Sequence, residues 1–177
     1  MTVSVELKRV LVSAREDSQR HYAIDSLPCA GELRRLIGEW RGPLRPWDGL
    51  SGIDAFFVFG AAGELACVVD RGVVAASSCA ALAELPADWW GLPGSSSTPA
   101  ARDLIALGSP AESCLRGLLD DARPLSYDDD GESNTLAKRL GLTRADLAAE
   151  LLGLIRHAPY DWRAAPGERA AARAAMK

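Results

Sequence analysis

The sequence predicts an α+β fold, with an antiparallel sheet of four to five strands in the N-terminal half and a helical C-terminal half packed on it. Up to residue 76, short apolar segments are bounded by turn residues, a pattern typical of strands. Beyond residue 78, apolar residues recur every three to four positions and capping residues mark helix ends. The 177 residues are enough to bury a core without disulfides or metals.

The strands are assigned in chain order. Residues 2–13 alternate between apolar and polar side chains, and residues 22–27 complete a hairpin with them. One inserted helix is expected at 31–40, where apolar side chains form a single stripe. The continuous apolar run at 53–59 predicts a central strand covered on both faces. The last two strands are expected at 64–70 and 73–76, separated by a turn at 70–72.

The helical half begins with a short helix at 79–85, which Pro86 ends. Three later helix starts carry capping residues, namely Thr98 before Pro99, Ser109 three residues before Glu112, and Thr143 three residues before Asp146. The sequence therefore divides into a sheet region at 1–94 and a helical region at 95–165 of the same domain. A basic, Ala-rich tail at 166–177 is expected to be a frayed helix, because it lacks large apolar residues.

Charge is distributed unevenly along a chain whose net charge is −4. Residues 51–132 hold four basic and thirteen acidic residues, whereas residues 133–177 hold eight basic and four acidic ones. No apolar run reaches the roughly 20 residues that span a bilayer, and residues 1–7 lack the pattern of a secretory signal. A soluble, cytoplasmic protein without a membrane partner is expected.

The most negative stretch contains Asp128, Asp129, Asp130 and Glu132. It does not form an EF-hand, because the twelfth position counted from Asp128 is Arg139 instead of the required glutamate. No metal site is predicted. Clustered carboxylates do accelerate the encounter with a cationic surface, so the run is interpreted either as a solvated loop or as an acidic patch for a basic partner.

Tryptophans lie in Pro- and Gly-rich loops. Trp47 has Arg45 two residues before it, and Trp89 and Trp90 are adjacent. A loop tryptophan either folds back over the core or stays exposed as an interface anchor, since Trp and Arg are over-represented among interface hot spots. Both interpretations stay open at this point.

The segment 136–147 resembles the core of a helix-turn-helix, with Ala137 in the first helix, Gly141 at the turn and Leu147 in the second helix. The cations available to DNA are Lys138, Arg139, Arg144 and Arg156. The second helix, however, would present Asp146 to the groove, which repels phosphate. Two antiparallel helices joined by a glycine turn give the same pattern without DNA.

A cysteine nucleophile is a further alternative. Cys29 lies just before a predicted helix and Cys79 at the start of one, where the helix dipole favours a thiolate. Such an enzyme also needs His21 or His157 within hydrogen-bond reach. No known catalytic or cofactor motif occurs, so no catalytic residue and no cofactor are assigned.

The function predicted from these residues is non-catalytic binding of another protein, as in an inhibitor, immunity or adaptor protein. The expected contact residues are Asp128, Asp129, Asp130, Glu132, Trp47, Trp89, Trp90 and Arg45. A DNA-binding regulator using residues 135–157 is the first alternative, and a cysteine-nucleophile enzyme is the second.

Overall fold

The computed structural model describes residues 5–39, 49–62, 69–127 and 131–177, and these residues form α-helices joined by turns. The helices are α1 (Val5–Asp17), α2 (Ala30–Gly38), α3 (Gly52–Ala62), α4 (Arg71–Glu84), α5 (Pro99–Leu107), α6 (Ser109–Gly117), α7 (Glu132–Leu140), α8 (Arg144–Ile155) and α9 (Pro166–Met176). No strand occurs in these ranges, where the extended pairing is an isolated bridge between Pro124 and Thr143. The predicted α+β fold with its sheet is therefore wrong.

Two compact units divide the chain. The first unit spans Met1–Glu84 and contains α1 to α4, and the second unit spans Leu85–Lys177 and contains α5 to α9. Among the described helices, none has both the length and the apolar character that crossing a membrane requires.

The predicted strand at 2–13 is wrong because residues 5–17 form α1. The buried residues of this helix are Leu7, Val10, Leu11 and Ala14. They are spaced by three, one and three residues, which is the periodicity of a helix with one apolar face. The apolar run at 10–12 imitates a strand, but Val12 at its end is 55% exposed.

The predicted central strand at 53–59 is also wrong, because it lies inside α3. A continuous apolar run indicates burial on all sides, which a strand and a buried helix share. The helix start is fixed by Ser51, whose Oγ accepts a hydrogen bond from the Asp54 amide at 3.3 Å and donates one to Asp54 Oδ2 at 2.8 Å. This cap is the local signal that selects the helix.

The turn and strand predicted at 70–72 and 73–76 are instead the start of α4. Asp70 Oδ1 accepts a hydrogen bond from the Gly72 amide at 2.7 Å, as a helix-capping aspartate does. The helix continues through the one predicted at 79–85. Asp70 therefore begins a helix where the sequence was interpreted as a hairpin turn.

The two remaining predicted strands have different outcomes. Residues 22–27 contain a single 3₁₀ turn at Ile24–Ser26, so that strand is wrong. Most of the strand predicted at 64–70 falls on residues 63–68, which lie outside the described residues.

In the first unit, α3 packs closely on α4. A Cβ added at Gly52 would lie 2.6 Å from the Ala80 Cβ, so glycine permits the close approach. At the surface, Arg35 of α2 forms an ion pair with Glu6 of α1 at 2.8 Å. The unit is thus a helical packing with charged pairs on its outside.

In the second unit, α8 is the central helix. Its residues from Ala145 to Gly153 are all buried, and it packs against α5, α6 and α9. Of the predicted capping box of Thr143 and Asp146, the bond from the Thr143 amide to Asp146 Oδ2 is present at 2.9 Å, whereas the Thr143 hydroxyl donates to the same oxygen. The predicted cap of α5 is also present, since Thr98 Oγ1 accepts a hydrogen bond from the Ala101 amide at 3.3 Å.

One predicted cap is wrong although its helix is present. Helix α6 already includes Ser109, its N-cap position is Gly108, and no side chain caps it. Glu112, the expected partner of Ser109, instead pairs with Arg116 at 3.1 Å and with Arg156 at 2.9 Å. These two arginines hold the pKa of Glu112 below its ordinary value, the hydrogen bond from Arg156 being the larger cause.

Candidate protein-binding surface

Residues 120–132, which we call the acidic segment, are attached to the N-terminus of α8 by backbone hydrogen bonds. The Ala145 amide donates to the Asp121 carbonyl at 3.0 Å, and the Leu125 amide donates to the Leu142 carbonyl at 3.0 Å. These bonds satisfy groups at a helix start that would otherwise need a ligand or water. They also fix the path of the segment on its N-terminal side.

A second attachment holds the middle of the acidic segment. The Ala87 amide donates to the Ser126 carbonyl at 3.0 Å, and the Tyr127 hydroxyl donates to the Gly91 carbonyl at 3.3 Å. Tyr127 is buried, and burial, followed by the negative charge of Asp88, raises its pKa. The chain therefore has a fixed position up to residue 127, and α7 begins at Glu132, directly after residue 131.

The carboxylates of the acidic segment differ in exposure. The Asp120 side chain is 77% exposed and lies 2.6 Å from Lys177 Nζ. Asp121 is paired with Arg123, whose hydrogen bond lowers the pKa of the carboxyl group. Glu132 is exposed in the first turn of α7. Residues 128–130, with the aspartates Asp128, Asp129 and Asp130, lie outside the described residues.

Two of the predicted tryptophan anchors, Trp89 and Trp90, are not on the surface. Trp89 is 1% exposed and Trp90 is 0% exposed, so neither side chain is available to a partner in this structure. Of the two interpretations open at the sequence level, the fold-back over the core matches these exposures. Trp47 and Arg45 lie outside the described residues.

A buried carboxylate lies beneath the surface at the start of α8. Asp146 is fully buried, and its Oδ2 accepts hydrogen bonds from the amide and the hydroxyl of Thr143 at 2.9 and 3.0 Å. Its Oδ1 accepts one from the Tyr160 hydroxyl at 2.6 Å. Burial, together with the neighbouring carboxylate, raises the pKa of Tyr160, so the phenol stays a donor.

Helix α9 supplies the counter-charges of Asp146. Arg169 Nε lies 3.3 Å from Asp146 Oδ1, and Arg173 Nη1 is bonded to the same oxygen. Arg169 is the one buried residue of α9. The basic tail thus forms a helix whose contacts with α8 include these two arginines.

A cleft of about 190 Å³ lies between the end of α6, the start of α8 and α9. Its charged lining residues are Asp120, Arg173 and Lys177. The acidic segment therefore borders a concave site as well as an exposed face.

Comparison of the chain with protein-family models, with curated proteins and with solved structures finds no match. Its function must therefore be argued from its own residues.

The DNA-binding alternative conflicts with the position of α8. A recognition helix needs a free face to enter the major groove, but nine consecutive residues of α8 are buried. Arg144 is half-buried and donates to the Leu85 carbonyl at 3.0 Å, and burial lowers its pKa. Arg156 pairs with Glu112. Only Lys138 and Arg139 of the four predicted contacts are exposed.

The cysteine alternative loses its physical basis. Cys79 lies inside α4, not at a helix start, and it is buried and disulfide-bonded. Cys29 is the free thiol among the described cysteines. It precedes α2, but burial raises its pKa, which disfavours the thiolate. In the described ranges, no group of three or more His, Cys, Asp or Glu residues is placed to hold a metal ion.

Sequence reasoning missed the polar network of Asp146, Arg169, Arg173 and Tyr160. Part of the signal was present, since Asp146 was identified as a capping residue and the tail as a basic helix, in which Arg169 and Arg173 are four residues apart. The missing step was that an Ala-rich helix can dock through arginines alone. The pattern to look for is a basic stripe on a helix that lacks large apolar residues and lies next to a helix with a buried carboxylate.

Glu150 is a second buried carboxylate of α8. It is 8% exposed and accepts a hydrogen bond from the Gly94 amide at 3.1 Å. A Cβ at Gly94 would lie 2.6 Å from Trp162 Nε1, so glycine allows the loop to lie against that ring. Burial raises the pKa of Glu150 above its ordinary value of 4.5, and the Gly94 bond opposes the shift only in part.

We expect Glu150→Gln to stabilise the second unit at about pH 7 and to leave its stability unchanged at about pH 4. Because the pKa is raised in the folded state, stability falls as the pH rises from 4.5 through the folded-state pKa. Glutamine keeps an acceptor for the Gly94 amide and carries no charge. Amide hydrogen exchange of α8 at both pH values measures the effect. Parallel pH profiles for the two proteins would contradict it.

Proposed function

We propose that this protein is a non-catalytic binding module that recognises a basic protein partner through its acidic segment. The observation that carries the proposal is the attachment of this segment to the second unit. Backbone bonds to Ala145, Leu142 and Ala87 hold the chain before residues 128–130, and α7 begins directly after them. Binding residues are often found on connecting segments whose ends are positioned by a rigid scaffold.

The charges of the acidic segment support a cationic partner. Asp120 and Glu132 are exposed at its two ends, and the sequence places Asp128, Asp129 and Asp130 between them. Like charges concentrated in one stretch create a local field that accelerates association with a surface of opposite sign. The contact surface no longer includes Trp89 and Trp90, because both are buried.

Affinity capture tests the proposal with the full chain as bait. The test variant reverses three charges by Asp128→Lys, Asp129→Lys and Asp130→Lys. We expect it to retain at least about tenfold less of the partner than the wild type, because rim charges set the electrostatic attraction. Retention by the wild type should also decrease as salt screens the charges.

A matched control distinguishes an effect of the acidic segment from an effect of the net charge of the protein. Glu16→Lys, Glu84→Lys and Asp103→Lys change the same number of charges at exposed positions on α1, α4 and α5. This control should capture the partner as the wild type does. The proposal is rejected when the variant at 128–130 captures the partner as well as the control does.

A further inference from the structure

We infer that the cleft beside the acidic segment is a recognition pocket for a lysine or arginine side chain of the partner, and that Lys177 pairs with the carboxylate of the cleft, Asp120, when no partner is bound. This inference rests on the proposed function, to which it adds the chemistry of the recognised group. It assigns the cleft one class of ligand, an alkyl chain that ends in a cation.

The walls of the cleft fit a hydrocarbon stem. Its volume is about 190 Å³. Its apolar lining residues are Leu119, Ala122, Ala145, Ala170 and Ala174. Long basic side chains bury their methylene groups along such a surface while the charged end stays close to water. The small alanines of α8 and α9 leave the space that such a stem would fill.

The carboxylate of Asp120 gives the cleft a partner for a cation. Asp120 is the one carboxylate of the lining, and both its oxygens contact Lys177 Nζ, at 2.6 and 2.7 Å. The other charged lining residue, Arg173, is directed to the buried Asp146. When Lys177 leaves, Asp120 therefore becomes a carboxylate without a counter-charge at the edge of an apolar cleft.

Lys177 can leave without disturbing α9. Its side chain is 48% exposed and Asp120 is 77% exposed, and ion pairs of this kind contribute little to stability. The backbone beside it is fixed separately, because Arg156 Nη1 donates to the Met176 carbonyl at 3.1 Å. Side-chain rotation is thus enough to free Asp120, and an incoming cation replaces Lys177 as its partner at small cost.

The test is a titration of the full chain with n-butylammonium chloride, which reproduces a lysine side chain beyond its Cα, followed by the backbone amide signals of Ala122 and Ala145 in NMR. We expect saturable shifts at these amides in the Lys177→Ala variant. Binding to the wild type should be about threefold weaker, because Lys177 competes for Asp120 through an exposed ion pair.

Two control ligands and two variants make the result specific. Tetramethylammonium carries the charge without the stem, 1-butanol carries the stem without the charge, and neither should give the saturable shifts. In the Lys177→Ala background, Asp120→Asn should abolish binding, whereas Glu16→Gln, which removes one exposed charge in the first unit, should not.

The inference is overturned by the absence of saturable shifts in Lys177→Ala, by equal shifts with either control ligand, or by unchanged binding in Asp120→Asn. These outcomes leave the proposed function intact, because the capture experiment alters residues 128–130 and not the cleft. Conversely, the variant at 128–130 could capture the partner as well as its control does while the titration shows binding. This result would reject the acidic segment as the contact surface and retain the pocket.

Discussion

Replacing Arg169 with alanine is expected to lower the free energy of unfolding of the second unit by about 3 to 5 kcal/mol, the usual cost of breaking a buried ion pair from one side. Arg169 is 2% exposed. Its Nη2 donates to the carbonyls of Leu140 and Gly141 at 2.8 and 3.0 Å. These carbonyls end α7, where a cation also interacts favourably with the helix dipole.

The remaining donors of Arg169 fasten the segment that leads into α9. Its Nη1 lies 3.3 Å from the carbonyls of both Trp162 and Ala164, and its Nε faces Asp146. Alanine would remove the donor from the Trp162 and Ala164 carbonyls, whereas Asp146 would keep Tyr160 and Arg173. A buried carbonyl left unpaired costs more than the hydrogen bond itself contributes. The loss should therefore reach α7, α8 and α9 together.

Hydrogen exchange of the α8 amides measures this loss, because it reports the unfolding of the second unit alone. Arg139→Ala is the control, since Arg139 is exposed on α7 and its removal changes the net charge equally. A change within about 0.5 kcal/mol is expected for this surface position. An Arg169→Ala protein as stable as this control would contradict the role assigned to the guanidinium.

The same network predicts non-additive losses. Asp146→Asn alone leaves Arg169 without its carboxylate, and Arg169→Ala alone leaves the carboxylate without that guanidinium. Because the double variant contains neither charge, its loss of stability should be smaller than the two single losses combined. Additive losses would show that the two side chains act independently.

Capping residues at helix ends predicted helices more reliably than apolar patterns predicted strands. Thr98 caps α5 as expected, and Asp146 accepts the Thr143 amide at the start of α8, because a capping hydrogen bond involves only residues near in sequence. Ser51 and Asp70 cap α3 and α4 in the same way, yet Asp70 was assigned to a turn and Ser51 was not assigned to a cap. Recognising them as caps would have turned the predicted central strand and its neighbour into helices.

The failure of the strand predictions has a physical cause. The run at 53–59 is buried on nearly all sides of α3, so it shows no helical stripe, and a pattern of burial alone does not distinguish the two structures. Segment length and flanking caps were the available criteria. The run belongs to an 11-residue helix, longer than the average strand.

Only the sign of the charge at the candidate site could be predicted from the sequence. The sequence shows a negative stretch at 128–132 and a basic tail, and opposite charges favour contact between such parts of a chain. That Lys177 meets Asp120 while Arg169 and Arg173 meet Asp146 depends on the packing of α6, α8 and α9. This packing is tertiary information, which periodicity along one chain does not contain.

Replacing Trp90 with alanine should destabilise the protein by about 3 to 5 kcal/mol, the range for removing a large aromatic side chain from a core. Trp90 is 0% exposed and directly follows the 3₁₀ turn at Ala87–Trp89. The turn is tied to the acidic segment, since the Ala87 amide donates to the Ser126 carbonyl. A cavity at Trp90 should therefore loosen the support of the segment as well.

This expectation separates a core tryptophan from an interface anchor. An exposed anchor would lose partner binding on truncation and keep its stability, because its contacts form only in the complex. Urea unfolding followed by circular dichroism should instead show a lower midpoint for Trp90→Ala. Leu154→Ala is the control, since Leu154 is 41% exposed on α8 and should cost far less. Unchanged stability together with lost binding would return Trp90 to the contact surface.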